Sequence, residues 1–192
     1  MSSSVNKHVL VPIGEGTEEM EAIIVIDVIR RAGAQVIVAS VENSLQVKCS
    51  RGVNIIADSL IADVESQQFD LIACPGGMPG AERLRDCETL ERMTIKQRDE
   101  GRLYAAICAT PAVFFQAKGL MDGHRGTSHP AFSDKLVDQS LVQERVVVDG
   151  NLTTSRGPGT AFEFALSLVK QLYGAEKAQQ VAGPMVMYPY EL

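Results

Sequence analysis

The sequence predicts an α/β sandwich, a mostly parallel sheet covered by helices on both faces. Three observations predict it. Short apolar strand-like runs alternate with longer helix-like segments along the chain, which is the pattern of β-α-β units. The runs are near-continuously apolar, as strands buried on both faces must be. One run, Leu103 to Ile107, stops at Cys108, and a helix-compatible stretch from Pro111 to Ala117 follows at once. That sequence outlines a strand-to-helix elbow carrying a nucleophile.

Taken in order, His8 to Ile13 reads as a strand, and Thr17 to Ala32 as a helix stopped by Gly33. Glu18 and Glu19 place acid in its first turn, where the helix dipole favours it. Gln35 to Val41 is a strand and Val53 to Ala57 a possible short one. Phe69 to Cys74 is a strand ending in the Gly-rich loop Pro75 to Gly80, and Cys87 to Glu100 is a helix. Arg145 to Val148 and Asn151 to Thr154, joined by Asp149-Gly150, carry a strong hairpin signal. A helix starts near Ala161, where Thr160 and Glu163 have the spacing of a capping box. The approach Ser155 to Gly159 is either a structural turn or a place where Arg156 and Gly157 meet a second subunit or a pocket rim. A last helix runs from about Ala175 toward Val181. No repeat, low-complexity tract or linker interrupts the chain, so residues 1–192 read as one domain.

Composition narrows the function. The net charge is −6 over 192 residues with no basic tract, which argues against nucleic acid or an anionic membrane as partner. No apolar stretch approaches the ~18 residues of a membrane span, and Met1 to Lys7 lacks the apolar core of a signal peptide. The four cysteines, Cys49, Cys74, Cys87 and Cys108, form no CxxC pair, and no histidine stands at ligand spacing. Free thiols in a reducing compartment, the cytoplasm or an organelle such as the chloroplast, fit this usage better than a disulfide framework or a metal site. Gly14-Glu15-Gly16-Thr17-Glu18-Glu19 lacks a third glycine and would repel a pyrophosphate, and no GK[ST] follows Pro75 to Gly80. No nucleotide, metal or other cofactor is expected.

Three side chains carry candidate chemistry. Cys108 is either a nucleophile or an ordinary buried strand-end cysteine. At an elbow, the free N–H groups of the following helix start would lower its pKa and could hold an oxyanion. Glu21 shares a helical stripe with Ile24, Val25, Val28 and Ala32. A carboxyl on a core-facing stripe must be neutral or paired, unless it reaches solvent at the edge of the stripe. The opposite side of the same helix carries Ile23 and Ile26 beside Arg30, so one face suits the sheet and another a second subunit. His129, before Pro130, is biased toward extended backbone and either projects into a cleft as a base for Cys108 or is structural. Gly76 and Gly77 follow a parallel strand at the carboxyl edge of the sheet, where open α/β folds bind ligands. Their N–H groups, with that of Ala109, either form an oxyanion hole or simply turn the chain.

Taken together, these residues resemble the DJ-1/PfpI superfamily, and its DJ-1 branch in particular. The match rests on Glu18-Glu19-Met20-Glu21-Ala22, Asp27 to Gly33, Pro75-Gly76-Gly77, Ala105 to Ala109, His129-Pro130 and Thr154 to Thr160. The segments Ser40 to Asn43 and Ala182 to Met187 are similar to the halves of the tandem plant DJ-1 proteins, of which this chain holds one unit. The resemblance implies a flavodoxin-like three-layer sandwich and a homodimer built partly on the first helix. It implies Cys108 as nucleophile, Glu21 as the protonated carboxyl beside it and His129 as neighbouring base. Gly77 and Ala109 would supply oxyanion N–H groups, and Arg31 and Arg51 match positions near the site across the dimer. Thr110 departs from the small residue often found there and is expected to narrow the pocket mouth. The activity implied is a cofactor-independent glyoxalase or deglycase acting on 2-oxoaldehydes such as methylglyoxal. The alternative is an oxidative-stress sensor or redox-regulated chaperone working through Cys108 oxidation. PfpI-like proteolysis is disfavoured for want of a peptide cleft.

Overall fold

The computed structural model describes residues 6–187. Its sheet is built from β1 (His8–Ile13), β2 (Gln35–Ser40), β5 (Ser59–Leu60), β6 (Leu71–Cys74), β7 (Leu103–Ile107), β8 (Val146–Asp149) and β9 (Leu152–Ser155). The strand order is β5-β2-β1-β6-β7-β9-β8. All neighbours are parallel except the edge hairpin β8–β9, which brings β9 into parallel register with β7. A separate two-stranded ribbon pairs β3 (Gln46–Lys48) with β4 (Asn54–Ile56).

Alternation along the strands divides the core into two layers. Val9, Val11 and Ile13 of β1, Leu71 and Ala73 of β6, and Ala105 and Ile107 of β7 face one cluster. There they meet α1 (Glu19–Arg31), α4 (Ala161–Tyr173) and α5 (Ala175–Ala182). Leu10, Ile72, Cys74, Tyr104 and Ala106 face the other. That side is closed by α3 (Glu88–Asp99), which follows the short helix α2 (Gly80–Arg85), and by the residues after Cys108. Burial of both faces explains why these strands read as unbroken apolar runs. The sandwich is the mostly parallel, flavodoxin-like α/β fold that the sequence predicts. Among the described residues, no helix is long and apolar enough to cross a membrane.

Several elements differ from the reading. The first helix begins at Glu19 because Thr17 Oγ1 accepts the Gly14 N–H at 3.0 Å and Glu18 serves as the cap, accepting the Glu21 N–H at 2.8 Å. The stretch after the elbow is a π-helix, Pro111–Phe115, running into a 3-10 turn at Gln116–Lys118. No capping box forms at α4. Thr160 Oγ1 turns back to accept the N–H groups of Arg156 and Gly157, while Glu163 pairs with Arg145 at 2.7 Å. Neither β3 nor α2 is evident in the sequence, because both are short and set by what they dock against.

The sheet order reverses between β1 and β6: β1 continues through α1 to β2 on one side, while β6 continues to β7 on the other. The loops leaving the carboxyl ends of these two strands therefore diverge and open a crevice, the place where doubly wound sheets bind ligands. Glu21 comes from the β1 loop and helix, Gly76 and Gly77 from the β6 loop, and Cys108 from the end of β7.

Candidate active site

Cys108 sits at the elbow with φ of 66°, a conformation that a non-glycine residue rarely holds unless its surroundings fix it. Two backbone hydrogen bonds do so. The Cys108 N–H donates to the Ser155 carbonyl at 3.0 Å, and its carbonyl accepts the His129 N–H at 2.7 Å. The thiol is buried.

Glu21 is fully buried on α1, and its Oε2 accepts the Gly76 N–H at 2.8 Å. Its other oxygen, Oε1, is buried with no hydrogen-bond partner among the described residues. Because Oε2 is already an acceptor, Oε1 is the oxygen that carries the proton when the carboxyl is neutral. Gly76 ties thiol and carboxyl together. A Cβ there would meet the Cys108 Cβ at 2.5 Å, Glu21 Oε2 at 2.8 Å and the Ile107 carbonyl at 2.8 Å. Gly77 has a φ of 92°, and a Cβ on it would lie 2.4 Å from both the Glu18 nitrogen and the Gly16 oxygen. The loop approaches α1 this closely only because both residues are glycine.

The electrostatics make thiol and carboxyl one unit. Burial pushes the Glu21 carboxyl up to about 7, the Gly76 N–H and the Cys108 side chain pull it down, and the charge of Glu18 raises it. Burial also pushes the Cys108 thiol up to about 12, and a charged Glu21 adds to that. The N–H groups of Gly77 and Ala109 bond the sulfur and oppose the rise. The low thiol pKa anticipated from the elbow is not found: burial of the sulfur outweighs the N–H groups of Gly77 and Ala109 and raises the thiol. A charged Glu21 opposes ionisation of the thiol, so the two groups titrate as a coupled pair.

The other expected residues fall in three places. His129 is half-buried on an extended segment, and its Nδ1 accepts the Ala131 N–H at 3.1 Å. That bond puts the proton of a neutral ring on Nε2, and it leaves no Nδ1–H for a carboxylate to orient. The ring makes no hydrogen bond to Cys108 or Glu21 among the described residues; only its backbone does. It borders a 270 Å³ hollow lined also by Arg145, Arg156, Gly157 and Thr160. Arg31 and Arg51 are exposed and bond within their own segments, Arg31 to Asp27 and Arg51 to the Ser50 carbonyl. Within one chain they do not join the Cys108 cluster. Thr110 does not line a mouth: it is fully buried, and its Oγ1 donates to the Pro75 carbonyl at 2.6 Å. Sequence reasoning also missed Glu19, which fastens the ribbon loop over the start of α1 by accepting Ser50 Oγ–H and the Arg51 N–H, both at 2.8 Å. Among the described residues no His, Cys, Asp and Glu side chains group so as to hold a metal ion.

A doubly wound sheet with a cysteine at a strained elbow, touching a buried carboxyl, defines a class of thiol-centred α/β sandwich proteins. Within that class the chain belongs to the DJ-1/PfpI family, which residues 7–171 match. It is 50% identical over 190 residues to DJ-1 homolog B of Arabidopsis thaliana, covering 98% of this chain and 43% of that one. The chain therefore spans less than half the length of that plant relative. It is 36% identical over 189 residues to the glutathione-independent glyoxalase DJR-1.2 of Caenorhabditis elegans, covering 97% and 99% of the two chains. The structure of oxidized DJ-1 from Toxoplasma gondii superposes with a TM-score of 0.92 at 46% identity, covering 96% of this chain and all of that one.

Proposed function

We propose that this protein is a cofactor-independent glyoxalase that converts small 2-oxoaldehydes to 2-hydroxy acids through Cys108. The observation that carries the reading is the buried Glu21 carboxyl held with the Cys108 side chain around Gly76 at the elbow, because this reaction needs a nucleophile and a proton shuttle within one site. The Cys108 sulfur attacks the aldehyde carbon, and the carbonyl oxygen gains a proton to give a hemithioacetal. As that oxygen becomes negative, the N–H groups of Gly77 and Ala109 stabilise it. Glu21 then removes the hydrogen on the former aldehyde carbon as a proton while the neighbouring ketone oxygen takes up a proton, giving an enediol. Glu21 returns a proton to the neighbouring carbon as the hydroxyl on the first carbon loses its own. The first carbon becomes a thioester carbonyl and the second a carbinol, with no net redox change. Water cleaves the thioester, releasing the acid and restoring the thiol. A relative named as a glutathione-independent glyoxalase supports the choice of substrate class.

The test is lactate formation from methylglyoxal without glutathione, for the native chain and Cys108→Ala side by side. Turnover in the native chain alone is expected. Equal rates in both would discard Cys108 as the nucleophile. A second reading, an oxidation sensor, is favoured by one observation: two N–H groups and a protonatable carboxyl surround the sulfur, an arrangement that would hold a sulfinate as well as an oxyanion. Under it, dilute peroxide adds two oxygens to Cys108 and to no other cysteine, as read by peptide mass.

A further inference from the structure

Arg156 stands apart among the arginines of this chain. Most of the others pair with a carboxylate, as Arg125 does with Asp149 and Arg145 with Glu163. Arg51 has no ion pair among the described residues either, but it is exposed. Arg156 is half-buried, and its Nε is shut off from solvent without a hydrogen-bond partner among the described residues. A guanidinium stays charged, and a buried N–H on a permanent cation is costly unless an acceptor takes it.

The surroundings supply donors. Arg156 lines a 270 Å³ hollow with His129, Arg145, Gly157 and Thr160, and no carboxylate is among the lining residues. Glu163, outside the lining, takes Arg145 Nε, and the Gly159 carbonyl takes Nη2. Thr160 Oγ1 is spent on the N–H groups of Arg156 and Gly157 and on the Gly157 carbonyl. His129 Nδ1 is held by the Ala131 N–H, so the neutral ring offers Nε2–H as a donor. A Cβ on Gly157 would stand 3.6 Å from His129 Cδ2, the carbon bonded to Nε2, so this edge of the ring is turned toward Gly157. The hollow adjoins the elbow on both sides. The Ser155 carbonyl, next to Arg156, accepts the Cys108 N–H at 3.0 Å, and the His129 N–H donates to the Cys108 carbonyl at 2.7 Å.

We propose that this hollow is a subsite for a small oxyanion, a carboxylate or a phosphate, borne by the far end of a substrate whose aldehyde sits at Cys108. The fork of Arg156 suits two oxygens of such a group, and His129 Nε2–H adds a donor. At 270 Å³ the hollow lies just under the usual span of pockets for whole small molecules, so it suits one end group. The identity of the substrate rests on the glyoxalase reading; the anion site does not. The substrate class then extends from methylglyoxal to 2-oxoaldehydes with an anionic end.

Calorimetric titration of the full chain with inorganic phosphate, and separately with lactate as the carboxylate, reads the site without turnover. Saturable binding of one anion per chain is expected for at least one of the two, and the tighter one names the group. Arg156→Met keeps the stem and removes the donors, and should weaken binding roughly tenfold to hundredfold, the worth of charge-assisted hydrogen bonds. Arg156→Lys keeps the charge without the fork, so it should fall between, and it guards against a Met variant that folds poorly. Arg125→Met removes the same charge beside Asp149, at the other end of the β8–β9 hairpin, and should bind as the native chain does. The substrate is read from kcat/KM for a 2-oxoaldehyde ending in the tighter group, relative to kcat/KM for methylglyoxal. Arg156→Met should lower that ratio by the same factor, chiefly through KM. No saturable binding of either anion, equal losses in the Arg156 and Arg125 variants, or an unmoved ratio would overturn the proposal. Absence of turnover on both aldehydes in the native chain would sink the glyoxalase reading, and the titration would still decide the anion site.

Discussion

Glu21 and Cys108 titrate as a coupled pair, and stability then depends on pH in a definite direction. Folding raises the Glu21 carboxyl from 4.5 to about 7, so between those values the folded chain binds a proton that the unfolded chain has lost. Stability therefore falls as pH rises through that window, by on the order of 3 kcal/mol at about 1.36 kcal/mol per pH unit. Glu21→Gln has no proton to lose there. In urea titrations, its stability relative to the native chain should improve steadily from pH 4.5 to 7; a constant difference would show that Glu21 ionises freely. The same variant keeps a donor beside the sulfur but cannot shuttle protons, so lactate formation should fall by at least ~100-fold, within the usual range for general acid–base catalysis. The place of Glu21 was legible because four apolar residues share its helical stripe. The behaviour of the sulfur was not, since it depends on its burial and on the charge of Glu21. The orientation of His129 was equally hidden, because a local turn at Ala131 sets it.

At the scale of elements, the crevice depends on two tight connections. In the first, Gly76 lets the β6 loop pass between Glu21 and the elbow. Gly76→Ala would force a methyl to within 2.5 Å of the Cys108 Cβ. Overpacking of this kind costs about 1–3 kcal/mol, and the displaced elbow should lose thiol reactivity with it. A variant with native melting temperature and native alkylation would contradict the geometry. In the second, Thr160 gathers the turn between β9 and α4. Its Oγ1 contacts Ser155 Oγ at 2.7 Å, accepts two backbone N–H groups and donates to the Gly157 carbonyl at 3.0 Å. Thr160→Val should cost about 1–3 kcal/mol, because buried donors lose their partner. Glu163→Ala should cost less than about 1 kcal/mol, because the Glu163–Arg145 pair is more than half exposed. A true capping box would reverse neither cost but would make them similar, so denaturation of the two variants separates the arrangements. The sequence carried the T-x-x-E spacing without revealing that Thr160 is used backwards along the chain. In the same way it carried a helix-compatible run after Cys108 without the π-helical hydrogen bonding, which depends on how Phe114 and Phe115 pack into the core.

For the whole molecule, the sheet was the most legible feature, because burial on both faces leaves a mark on every strand. What surrounds the sandwich was less so. The outward side of α1 leaves Met20 54% and Ile23 46% exposed, and Phe162 at the start of α4 is 41% exposed beside them. Ile23, Ile24, Phe162 and Met185 line a shallow hollow of 350 Å³, with Asp27 and Arg31 at its edge. We propose that a second copy of the chain covers this face. Asp27 and Arg31 already neutralise one another, so two such faces can meet about a twofold axis without opposing like charges. Light scattering of the native chain should give twice the mass of one chain, and Ile23→Glu, which puts charge at the centre of the patch, should give a monomer. A native monomer would remove the proposal. The same variant tests Arg31 and Arg51, which lie apart from Cys108 within one chain and could reach it only from a partner. If the monomeric Ile23→Glu protein alkylates Cys108 with the native pH profile, the arginines have no part in tuning the thiol. A shift in that profile with an unchanged melting temperature would place a partner's cation within electrostatic reach of the sulfur.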